Sequence, residues 1–267
     1  MSSPAVEDDD PLPVSITWVE VVLISIIFSI MSGVTFGRGI GDVSCTYHLN
    51  YSPATEAFGI WGVIYFLAFT TVFAQWASYM RPHHMFATPE ANLLFASAWL
   101  FATWWTPAFV SNKKWTHIVA AILLCACASC ALGASVVENS WQHDVDERRR
   151  WYIGVPFSML AGWTLTAAAV SVGIAYEAND NTPDDDCKSE RSGYSMFNTH
   201  INVQDYSYAP LVLALVVFVV AVWLPDPILP IPVLWGIFYM VPSYPNWMGF
   251  VLLCVASLFA FGRAYLF

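Results

Sequence analysis

The sequence predicts an all-α, multi-pass transmembrane helix bundle of about eight spans. Three observations carry that expectation. Of 267 residues, 57% are hydrophobic and only 11% are charged, where a soluble domain carries about 25% charged residues. Mean hydropathy is +0.55, so the apolar surface exceeds what one water-soluble core hides and a bilayer is the natural solvent. Long apolar stretches also recur along the chain at lengths near the ~20 residues that a spanning helix needs.

The elements follow in order. Residues 1–15 read as a disordered acidic tail, with Glu7, Asp8, Asp9 and Asp10 and no basic or Arg/Ser-rich run of a signal or transit peptide. Apolar stretches then run at 16–36, 58–80, 91–110, 115–137, 152–176, 209–224, 228–241 and 246–262. The first five meet the spanning length. The seventh holds Pro230 and Pro232 and is bounded by Pro242 and Pro245. Proline removes a helical hydrogen bond and kinks the helix, which membrane helices tolerate when neighbours re-satisfy the freed carbonyl. The organisation is therefore a tail (1–15), a five-helix core (16–176), a polar loop (177–208) and C-terminal transmembrane helices (209–267). Orientation is weakly specified: short-loop arginines and lysines slightly favour termini on the cytoplasmic side.

Several function classes fall away. A net charge of -10 disfavours nucleic acid, which selects basic faces. Glu20, Glu90 and His117 lie near the starts of their spans, and the span middles are uncharged. That argues against a proton-coupled pump or voltage sensor. Lys113, Lys114 and Lys188 all lie in loops, which leaves no lysine for a buried retinal Schiff base. No Walker loop, G-x-S-x-G or H-E-x-x-H occurs, so no residue points to catalysis and a non-enzymatic role is expected. Cys125, Cys127 and Cys130 sit among small residues on span four, a helix-packing pattern rather than a metal site, since no His or carboxylate accompanies them. His83 and His84 read as a solvated loop pair, and Asp184–Asp186 as a solvated acidic loop. Neither a metal nor a required cofactor is expected.

The informative residues are aromatic. Phe58, Trp61 and Tyr65 are spaced three and four apart on span two, so they stand on one helix face. Gly59 and Gly62 lie beside them and are expected to admit a close neighbour. Trp99, Phe101, Trp104 and Trp105 crowd the second half of span three, up to Pro107. Trp163 and Ala167 lie one turn apart on span five. Trp18, Trp76, Trp115, Trp141, Trp151 and Trp247 lie near span ends and read as an interfacial belt. Trp61, Trp99 and Trp163 lie deeper and sit among small residues. From spacing alone they either line a small-molecule pocket between helices or simply pack the bundle.

Two segments, P-A-T-E-A-F-G-I-W-G-V-I-Y (53–65) and V-P-F-S-M-L-A-G-W-T-L-T-A-A-A-V-S (155–171), resemble the TspO/MBR family of tryptophan-rich sensory and translocator proteins. Phe58, Trp61 and Tyr65 match its span-two motif, Trp99 its span-three motif, and Pro156, Trp163 and Ala167 its span-five motif. The sequence departs where the family has asparagines: Ala96 stands at the span-three position, with Asn92 one turn earlier, and Ser171 at the span-five position. The resemblance implies a five-helix core that binds planar lipophilic molecules, tetrapyrroles or sterol-like compounds. The site would lie under the loop Gly37–Ser52 and be lined by Phe58, Trp61, Tyr65, Trp99, Trp163 and Ala167. It also implies homodimers formed through span faces, for which the Gly/Ala-rich fourth span is the candidate. Two alternatives stay open: a structural membrane subunit whose aromatics pack against one another, and a transporter not coupled to ions.

Overall fold

A computed structural model of the chain describes residues 12–36, 39–40, 43, 55–79, 86–111, 113–138, 146–180, 212, 215–217, 219–220, 223, 226–239, 251, 254–255, 258 and 262. Among these, the helices are α1 (Leu12–Phe36), α2 (Ile60–Tyr79), α3 (Pro89–Val110), α4 (Lys114–Glu138), α5 (Val155–Asp180) and α6 (Pro230–Phe238). A 3-10 turn, Thr55–Gly59, leads into α2. A helical turn, Glu147–Arg149, and a π-helical segment, Arg150–Gly154, lead into α5.

Local signals set several of these boundaries. The Thr88 hydroxyl accepts the Ala91 N–H at 3.2 Å, and Pro89 stands where its missing N–H has no helical partner to lose. At the next start, Asp146 accepts the Arg148 N–H at 3.1 Å. The third span runs from Pro89 through Pro107 to Val110, close to the apolar stretch 91–110.

Five helical stretches are long and apolar enough to cross a bilayer: Thr17–Phe36, Ala57–Ser78, Pro89–Val110, Lys114–Glu138 and Glu147–Tyr176. The chain is an integral, multi-pass membrane protein with an all-helical bundle. Large apolar side chains such as Phe28, Met31, Phe66, Phe73 and Ile122 are exposed on its outside, as lipid-facing surface requires. Trp76, Trp115 and Trp151 are exposed near span ends, where the interfacial belt places them. Trp141 and Trp247 lie outside the described residues.

The fifth span is the centre of the bundle. In it, 72% of the apolar window is buried, against 33% to 44% in the other four. α3 packs along both α1 and α4, and α4 along α5. The fourth helix makes these contacts with small residues: Ala120, Cys127, Ala128, Ala131 and Ala134 are buried, which lets backbones approach. Cys127 is buried while Cys125 is exposed, so these two cysteines lie on different faces of the span. The small face put forward for a homodimer is thus largely occupied inside one protomer.

The C-terminal part adds to the five-helix core. Described residues of the sixth and eighth stretches, among them Leu215–Val217 and Cys254–Val255, are helical. The seventh is represented by α6, nine residues long. At 1.5 Å per residue that is about 14 Å, roughly half of the hydrocarbon thickness. α6 lies against α5.

Candidate functional site

Five of the six residues singled out by sequence form one connected aromatic cluster. Tyr65 stacks on Trp99, ring centroids 5.1 Å apart at 27°, and Trp61 stacks on Tyr65 at 5.7 Å. Trp61 meets the Trp163 ring edge-on at 6.3 Å, and Phe58 meets the same ring edge-on at 6.1 Å. Such offset and T-shaped pairs are the geometries aromatic quadrupoles favour. The Tyr65 hydroxyl lies 3.1 Å from the Ser29 hydroxyl of α1. Trp99 and Trp163 are essentially fully buried.

The sixth residue, Ala167, lies at a cavity beside this cluster. α5 contributes Trp163, Thr166, Ala167, Val170 and Ser171 to its wall, α3 contributes Trp105 and Phe109, and the turn before α2 contributes Phe58. Phe58, Trp163 and Ala167 therefore line it, whereas Trp61, Tyr65 and Trp99 pack behind it. Its volume is about 20 Å³, room for about one water molecule. The cavity lies in the half of the bundle where α1 ends and α2 begins. The loop Gly37–Ser52 falls mostly outside the described residues, although Val43 within it is buried.

Sequence reasoning missed Phe109, Thr166, Val170 and the role of Ser171. A signal was present: from Trp163 the spacing to Thr166, Ala167, Val170 and Ser171 is three, four, seven and eight residues, one continuous helix face. Gly59 and Gly62, expected to admit a close neighbour, face open space, with nothing within 4 Å of an added Cβ. Among the described glycines, close approaches occur at Gly39, Gly162 and Gly236. A Cβ on Gly162 would meet Pro232 Cγ at 2.5 Å, and one on Gly236 would meet Thr166 Cγ2 at 2.6 Å.

The polar chemistry of the site is one-sided. The indole Nε1 atoms of Trp99, Trp105 and Trp163 and the hydroxyl of Ser171 are buried and find no hydrogen-bond partner among the described residues. Two of those indoles and the hydroxyl belong to cavity-lining residues. None of the lining residues is charged.

A second polar centre holds α6 in place. Asp226 is fully buried and receives the Ser158 hydroxyl at 2.6 Å and the Ser135 hydroxyl at 3.3 Å. It also receives the N–H groups of Ile228 at 2.9 Å and Leu229 at 3.1 Å. Burial pushes its carboxyl above the ordinary carboxylate range, while the hydrogen bonds from Ser158, Leu229, Ile228 and Ser135 pull it down. Further along the segment, Trp235 Nε1 donates to the Ala57 carbonyl at 2.8 Å. Asp226 lies between two proline residues in a short gap between apolar stretches, and periodicity gives it no role.

Comparison with known proteins gives one match. A family model described as TSPO-like protein matches residues 15–183. No curated protein and no solved structure matches the chain.

Proposed function

This chain belongs to the TSPO-like protein family, and from that premise we propose that its bundle binds or carries a planar lipophilic ligand, tetrapyrrole or sterol-like, between α2, α3 and α5. The observation that carries the reading is that three residues lining one apolar cavity, Trp105, Trp163 and Ser171, each hold a buried polar atom with no partner among the described residues. An unpaired buried donor costs about 1–3 kcal/mol, and native folds keep few of them. A ligand with acceptor atoms at its edge regains that energy, and the indole faces stack on its rings. At about 20 Å³ the cavity is far below the ~300 Å³ of an ordinary ligand pocket. Binding therefore requires side chains such as Phe58 and Trp163 to swing apart, as a ligand-shifted minor conformation does.

The second reading is a structural membrane subunit with no ligand. The mutual packing of Trp61, Tyr65 and Trp99 speaks for it, whereas the unpaired donors do not. Quenching of tryptophan fluorescence by protoporphyrin IX in detergent-purified protein separates the two. Saturable quenching at micromolar ligand, weakened by Trp61→Leu and Trp163→Leu with folding retained, supports the ligand site. Linear quenching that neither substitution changes is partitioning into detergent, and the structural reading then takes its place.

A further inference from the structure

Residues 226–239 pack against Thr166 and Trp163, two of the residues that line this cavity. The segment is pinned at two points. At one end the Asp226 carboxylate takes hydroxyl donors from α4 (Ser135) and α5 (Ser158). Near the other, Trp235 donates to the carbonyl of Ala57, the residue before the cavity-lining Phe58. Between the pins the segment seats closely on α5. Gly162 leaves room for Leu229 and Pro232, and Gly236 leaves room for Thr166 and the outer edge of the Trp163 ring. Thr166 and Trp163 both line the cavity. Leu229, Pro232, Val233 and Ile237 are buried by this seat.

We propose that the segment 226–239 is a strap over the flank of the α2–α3–α5 cavity, and that a lipophilic ligand enters when the Trp235–Ala57 and Asp226–Ser158 contacts release. The proposal rests on the ligand reading above for the identity of the cargo, but not for the strap itself. The geometry suits a releasable element. The seat is made of small apolar contacts, which neither strain nor cross-link the helices, and the polar pins are few. Trp235 is partly exposed, as are Ile231 and Phe238, so the strap has lipid on its outer side and no further layer of described residues over those positions. Undocking uncovers Thr166 and the Trp163 edge, which are otherwise shut off.

The test uses the full chain in lipid nanodiscs and has two arms. In the first, Thr166→Cys is alkylated with N-ethylmaleimide, and labelling at position 166 is followed by peptide mass. Trp235→Phe, which keeps an aromatic ring but removes the indole donor, and Asp226→Asn are then added separately. Labelling is expected to accelerate about fivefold in each, the factor one net hydrogen bond supplies. In the second arm, stopped-flow quenching by protoporphyrin IX is recorded for the unlabelled protein and for Trp235→Phe. Association and dissociation rates are expected to rise together by a similar factor, with affinity changed less than twofold. Unchanged labelling in both latch variants overturns the strap whatever the porphyrin does. Faster labelling with saturable quenching and unchanged rates overturns its role as an entrance. Faster labelling without saturable quenching supports the strap as a mobile cover and removes the planar-ligand reading alone.

Discussion

Ser32 on α1 donates its hydroxyl to the carbonyl of Thr103 on α3 at 2.7 Å. Thr103 stands four residues before Pro107, which lies inside the helix and has no N–H to give that carbonyl. The same repair occurs at the start of α5. There Thr71 on α2 donates to the carbonyl of Tyr152 at 2.8 Å, four residues before Pro156, where the helix loosens into its π-helical segment. In a bilayer no water can take over such a carbonyl, so hydroxyls from neighbouring spans make the prolines tolerable. Each repair also pins one helix to another.

Removing the donor should therefore cost stability only while the proline is present. Ser32→Ala is expected to lower unfolding free energy by about 1 kcal/mol, the scale of interhelical hydrogen bonds in membranes. Thr71→Val should behave alike. Pro107→Ala restores the helical N–H, so Ser32→Ala placed on that background should cost much less. Thermal unfolding in detergent followed by circular dichroism measures the cycle. Equal costs in both backgrounds would mean that Ser32 stabilises the bundle by some other contact.

Asn92 concerns stability rather than binding. It exchanges two hydrogen bonds with Gln75, Nδ2 to Oε1 at 3.0 Å and Gln75 Nε2 to Asn92 Oδ1 at 3.3 Å. Gln75 Oε1 also accepts the Ala87 N–H at 3.0 Å, so the pair ties α2 to the start of α3. Both amides are buried. Asn92→Leu takes away the Gln75 Nε2 acceptor and leaves that buried donor unpaired, at an expected cost of about 1–3 kcal/mol. Asn92 stands at the start of α3, the opposite end of the bundle from Phe58 and Ser171. The midpoint of porphyrin quenching should therefore stay within twofold. A tenfold weakening in a folded variant would extend the site across the membrane.

The contrast between Asn92 and the aromatics shows what the sequence could reveal. The five core spans were legible because bilayer crossing demands long apolar runs, and these need no partner to be recognised. The aromatic stripe Phe58, Trp61, Tyr65 was legible because spacing of three and four fixes a shared face. Which of these line space and which fill it was not, since that depends on how Trp99 and Trp163 meet them from other helices. Ser32, Thr71 and Asp226 were illegible for a related reason. Each acts on a carbonyl, a hydroxyl or an amide, and for Ser32 and Thr71 that partner lies 71 and 81 residues away. For Asp226 the hydroxyl partners lie 91 and 68 residues away. No local period encodes such pairings. The glycines teach the same lesson, because Gly59 and Gly62 sit beside the stripe yet face open space, while Gly162 on α5 makes room for Leu229 and Pro232, and Gly236 on α6 for Thr166 and Trp163, residues far along the chain.

Ser171 offers the sharpest test of the donor-lined cavity. It stands where the resemblance expects an asparagine, it is buried, and its hydroxyl finds no partner among the described residues. If its role were packing, Ser171→Ala would be neutral or slightly stabilising, because it deletes an unpaired buried polar atom. If it meets an acceptor on a bound ligand, the same substitution should raise the thermal midpoint of the free protein slightly and weaken protoporphyrin quenching about fivefold. One net hydrogen bond of about 1 kcal/mol corresponds to that factor. Trp105→Phe should weaken quenching in the same direction, since it removes the indole N–H, but it also removes the fused five-membered ring from a buried site and is expected to lower the thermal midpoint. Opposite signs for stability and affinity in Ser171→Ala are the signature of a group held unpaired for a ligand. Tighter or unchanged quenching in both variants would instead assign the two donors to packing, and the carrier reading would lose its main support.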